Sequence, residues 1–73
     1  MGTLRALFGQ RLRQLRRHKH MTQERLAEAV SVSVDLISNI ERGVNAPSFE
    51  TLEKLAECLE VPVKDLFDFS GFE

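Results

Sequence analysis

Four times along the chain a threonine or serine stands directly ahead of an apolar pattern that repeats at three- and four-residue steps: Thr3, Thr22, Ser33 and Ser48. A hydroxyl in that position accepts from a backbone N–H of the first helical turn, a group the helix itself leaves unpaired. The pattern predicts a succession of short helices with abrupt starts. Thr3 opens a first helix over about 4–18, with Leu4, Leu7, Phe8, Leu12 and Leu15 on one stripe. Thr22 opens a second over 23–30, with Leu26, Ala27 and Val30 inward and Met21 stapled to Leu26. Ser33 opens a third over 34–42, where Val32 meets Ile37, Ile40 faces inward and Gly43 suits a left-handed stop. Ser48, after Pro47, opens a fourth over 49–59 with Phe49, Leu52, Leu55, Ala56 and Leu59, and a short fifth over 63–67 adds Val63, Leu66 and Phe67 before a tail at 68–73.

Val, Ile and Thr form no alternating runs, so strands are not expected. The 73 residues, 1–73, read as a single all-α, compact five-helix domain with one core, too small for a deep private cleft. Cys58 is the only cysteine and makes no intramolecular disulfide, which fits a reducing, cytoplasmic setting. No stretch resembles a secretion signal or a membrane span. His18 and His20, two apart, do not share a helix face, and Cys58 has no matching thiol. Neither a metal site nor a cofactor is expected, no catalytic set is present, and the chain does not read as an enzyme.

The net charge is only −1, but its distribution is uneven: residues 1–25 carry seven Lys or Arg against Glu24, and residues 26–73 carry three bases against ten acids. The basic end is either a phosphate-facing surface or a solvated helix face. The carboxylates Glu50, Glu53, Glu57 and Glu60 read as a solvated face of the fourth helix. Between the second and third helices only a tight turn is available, so the two cross steeply and need a small residue, Ala27, where they approach. Leu26, Val30, Val32, Ile37 and Ile40 then point into one core, and the N-terminal part of the third helix projects outward.

Gly9-Gln10-Arg11-Leu12-Arg13-Gln14-Leu15-Arg16, Thr22-Gln23 with Leu26-Ala27, Ile37-Ser38-Asn39-Ile40-Glu41-Arg42-Gly43, and Pro47-Ser48 with Thr51-Leu52 together make the chain resemble the Cro and lambda-repressor-like (Xre) helix-turn-helix domains over roughly residues 4–69. The resemblance implies a sequence-specific regulator of transcription, a repressor by expectation, that binds double-stranded DNA and reads the major groove with its third helix. It assigns base contacts to Ser33, Val34, Asp35, Ser38 and Asn39, and a phosphate contact to Gln23; Arg42 and the backbone N–H groups after Asn45 read as further phosphate holders. It also pairs Arg16 with Glu41 as an architectural ion pair. Val34 suits a thymine methyl, Asn39 an adenine, and Asp35 either a cytosine amine or the helix dipole alone. Two departures stand out: Val34 and Asp35 occupy positions where the family favours Arg, Gln or Ser, and Ser31 sits at a turn where it favours Gly. Arg13 and Arg17 read as solvated.

Phe69 and Phe72 exceed what so small a core needs. They either make a homodimer contact or fold back over the domain. The rival to DNA binding is a protein-interaction or antitoxin-like adaptor on the same fold, using the acidic fourth helix and the aromatic tail. No small-molecule ligand is expected.

Overall fold

All four hydroxyl caps form. In the computed structural model, which describes residues 3–72, Thr3 accepts from the Ala6 N–H at 3.2 Å, Thr22 from Arg25 at 3.0 Å, Ser33 from Leu36 at 3.1 Å and Ser48 from Thr51 at 3.1 Å. They start four α-helices: α1 (Leu4–His18), α2 (Gln23–Ala29), α3 (Val34–Glu41) and α4 (Phe49–Leu59). The all-α class holds, with one correction. The fifth element, Val63–Phe67, is a 3₁₀ helix and not a fifth α-helix. Pro62 provides no side-chain cap there, and five residues are too few to repay the entropy of nucleating an α-helix. Val30 and Arg42, expected as last helical residues, are instead the C-caps of α2 and α3. Glu73, the last residue of the expected tail, lies outside the described residues, as do Met1 and Gly2 of the expected domain.

The helices enclose one core of Phe8, Leu12, Leu26, Ala27, Val30, Ile37, Ile40, Leu52, Leu55, Ala56, Leu59 and Leu66. α3 packs on α1 and α2, and the 3₁₀ helix closes α1 against α4. Arg11 fastens that closure, its Nε donating to the Asp65 carbonyl at 2.8 Å. Four residues expected on the core stripes are exposed, while Leu7 and Leu15 are half-buried. Leu4 is 62% exposed and Phe49 86%, and Val63 and Phe67 are also open to solvent. They sit at the ends of their stripes, where a domain this small has no further element to lay over them.

Three joints between elements are left-handed without glycine: His20, Ser31 and Glu60 have φ of 57°, 59° and 60°. Ser31 is the turn between α2 and α3, and each such L-residue costs about 1 kcal/mol against glycine. The tail does fold back. The Phe69 ring meets Phe67 edge-on at 6.2 Å, Phe67 in turn lies 5.2 Å from Phe8, and Phe72 is half-buried in a groove on α1 with Gln10 and Arg13. Among the described residues no helix is long and apolar enough to cross a membrane.

α1 crosses α3 at Gly9, which is buried. A Cβ added there would lie 2.6 Å from the Glu41 carbonyl oxygen and closer still to that of Ile40. Both are backbone atoms near the end of a helix and cannot rotate aside. Gly9→Ala is expected to lower stability by about 1 to 3 kcal/mol, read as a drop in the urea midpoint at constant m-value.

Candidate nucleic-acid interface

The turn between α2 and α3 is closed by the backbone: Val32 N–H donates to Ala27 at 3.0 Å and Ser31 N–H to Glu28 at 3.3 Å. With Ala27 and Val30 buried beneath it and Ile37 and Ile40 anchoring the far side, α3 has little freedom to rotate about its axis. Its opposite side is therefore presented in a fixed orientation. Ser33, Val34 and Asp35 are exposed on that side, and Ser38 and Asn39 are half-buried. None of the five is enclosed in the interior.

Their hydrogen-bonding states differ. The Ser33 hydroxyl oxygen is occupied as the cap, which leaves its O–H free to donate. Asp35 occupies the first turn of α3, where a carboxylate favours the helix dipole. The Asn39 side-chain oxygen accepts a long contact from Arg42 Nη1 at 3.5 Å, so the amide is only loosely held. Arg42 and Asn45 are exposed in the segment following α3, but the Asn45 backbone N–H donates to the Asn39 carbonyl at 3.3 Å and is not free.

Behind this surface lies a buried ion pair. Glu41, its side chain 0% exposed, receives Arg16 on both oxygens: Nε to Oε2 at 2.6 Å and Nη2 to Oε1 at 3.0 Å. Arg16 also donates Nη1 to the Met21 carbonyl at 2.7 Å, tying the end of α1 to the start of α2. Gln23, half-buried at the start of α2, donates Nε2 to Glu41 Oε1 at 3.1 Å. Sequence reasoning assigned Gln23 to phosphate alone and missed this second attachment. Burial by itself would raise the Glu41 pKa; the hydrogen bonds from Arg16 and Gln23 and the charges of Arg16 and Arg13 outweigh it and hold the carboxyl below its ordinary value. The same pairing raises the pKa of Arg16. Elsewhere, burial pushes the half-buried Cys58 thiol up, away from the thiolate form a nucleophile needs.

Two short helices locked at a tight turn, the second projecting side chains of mixed polarity from a rigid base, define the class of helix-turn-helix proteins. A helix-turn-helix family model matches residues 12–66. The chain belongs to that family, in its Cro/C1-type, Xre-like branch of DNA-binding transcription regulators. It is 44% identical over 70 residues to control protein C.BamHI from Bacillus amyloliquefaciens, a match covering 94% of this chain and 86% of that one. The structure superposes on the clp gene regulator ClgR from Corynebacterium glutamicum with a TM-score of 0.89 at 35% identity, over 94% of this chain and 73% of that one. It superposes on the restriction-modification controller protein C.AhdI from Aeromonas hydrophila with a TM-score of 0.83 at 36% identity, over 86% of this chain and 96% of that one. Of several other curated regulators it matches, the chain spans about half the length.

Because Glu41 is buried and charged, removing one partner leaves the other uncompensated: Glu41→Ala or Arg16→Ala is expected to cost about 3 to 5 kcal/mol. The pH dependence follows from the depressed Glu41 pKa. Its stabilisation is present above the unfolded value and is lost as pH falls through the folded value, so it fades below the ordinary 4.5. Urea midpoints measured from pH 6 downward should fall less steeply below that point for Glu41→Gln than for the parent.

Proposed function

We propose that this chain is a sequence-specific repressor of transcription that places α3 in the major groove of double-stranded DNA and works as a pair of identical subunits. The observation that carries this is the fixed outward presentation of Val34, Asp35, Ser38 and Asn39 on a helix whose other side is wholly engaged. In this reading Asn39 makes the bidentate adenine contact, Val34 packs on a thymine methyl, and Ser33 and Ser38 donate or accept at base edges. Asp35 either accepts from a cytosine amine or serves only the helix start. Gln23, the Arg42 guanidinium and the Asn45 side-chain amide hold phosphates and fix the register. The matches to control protein C.BamHI and to the restriction-modification controller protein C.AhdI, over 86% and 96% of those chains, support a controller of that kind.

The subunit contact we assign to the apolar face around the exposed Leu4, Phe49, Val63 and Phe67, not to the tail. Leu4, Phe8, Pro47, Leu52 and Phe67 line one cleft, and Phe49 and Val63 line another that shares Leu52 and Phe67, so the two make a continuous face. Arg5 borders one end and Glu53 the other, which a two-fold axis would bring together across a pair. Phe69 and Phe72, by contrast, are engaged against their own domain. A monomer measures 31 × 23 × 23 Å, so two side by side suit half-sites one DNA turn, about 34 Å, apart.

Titration of a duplex enriched from a random pool, over several salt concentrations, tests the DNA reading. A steep negative dependence of log K on log salt is expected. Asn39→Ala should weaken the enriched duplex by about 1 to 3 kcal/mol and relax discrimination, whereas Gln23→Ala should weaken enriched and random duplexes alike. Retention of no duplex at any salt favours the adaptor reading. For the subunit contact, sedimentation of Phe49→Glu should show a monomer that keeps its helical content. An unchanged dimer would move the interface elsewhere.

A further inference from the structure

One oxygen of Glu41 gathers donors from two helices. Oε1 accepts from Arg16 Nη2 at 3.0 Å and Gln23 Nε2 at 3.1 Å, and Arg13 Nε stands 3.6 Å away. Arg16 alone neutralises the carboxylate, reaching both oxygens with a side chain only 10% exposed. Arg13 is thus an additional positive charge at a site already balanced. Its side chain is 47% exposed. The approach to Glu41 uses Nε, one of five N–H groups of the guanidinium, and leaves those on the two terminal nitrogens for another acceptor.

Gln23 and Arg13 converge on the same oxygen, so their polar ends are neighbours at the surface and lie close enough to close on a single phosphodiester. Resting on the DNA reading above, we propose that Arg13 is a second backbone-phosphate anchor beside Gln23, and that Glu41 is the positioning residue for both. Sequence reasoning treated Arg13 as solvated because it lies off the apolar stripe of α1; the stripe says nothing about what approaches from α3. In this arrangement the buried ion pair does more than join helices. It also sets the direction of the two side chains that meet the DNA backbone.

The test compares Arg13→Gln, Arg13→Lys and Lys54→Gln in the full chain, with an enriched and a random duplex as probes. Lys54, on α4, removes the same charge away from Glu41. Arg13→Gln should flatten the slope of log K against log salt by about 0.9, the value for one phosphate contact, and weaken both duplexes alike. Arg13→Lys should restore the slope, and Lys54→Gln should keep it. Thermal midpoints read in parallel separate the merely structural role: a parental slope for Arg13→Gln, whether or not the midpoint falls, would overturn the proposal. A parent chain that retains no duplex would sink the DNA reading itself, a distinct result.

Discussion

A carboxylate with no exposed surface, held by a guanidinium on both oxygens, is the joint on which the rest of this small domain turns. Glu41 lies at the end of α3, Arg16 near the end of α1, and Arg16 reaches on to the Met21 carbonyl before α2. Three helices therefore meet at one pair of side chains. Replacing such a pair with apolar residues is often neutral for stability, so its presence is better understood through what it fixes than through what it contributes. Here it fixes geometry: α3 cannot slide along α1 without separating opposite charges in a site that excludes water. Gly9 enforces the same crossing by steric means, its missing side chain leaving room for the α3 backbone.

The core is small, and its limits are as informative as its contents. Leu12, Leu26, Ile37, Ile40, Leu55 and Leu66 are fully enclosed, and they draw on every element. At the edge, Leu4, Phe49, Val63 and Phe67 belong to the same stripes yet remain exposed. An apolar stripe that continues past the limits of its own core is a surface another molecule can cover. The division of labour is then spatial: one side of the molecule is rigid and polar, another apolar and open, with the core between them.

Most of the architecture was legible in the sequence because it is written in local chemistry. The hydroxyl caps and the three- and four-residue apolar steps each act within one or two turns; all four caps form, and Met21 and Val32 pack against the core. The errors arise where a global quantity decides. Whether Val63–Phe67 becomes α or 3₁₀ depends on its length against the cost of nucleation, and whether Phe49 is buried depends on how far the core extends. Periodicity reports neither. The outward residues of α3 followed from the resemblance and from the inward ones by subtraction. The attachment of Gln23 and Arg13 to Glu41 did not, since both cross between helices and leave no mark in spacing. Arg13 lies one turn before Arg16, and that is the only hint the sequence holds.

The left-handed joints at His20, Ser31 and Glu60 lie outside every helix, and all three side chains are exposed. Their backbone energy is consequently a reserve that can be drawn upon without altering one atom of the side chains α3 presents. Thermal robustness and choice of operator become separate variables in this scaffold, adjustable in different places and in either order.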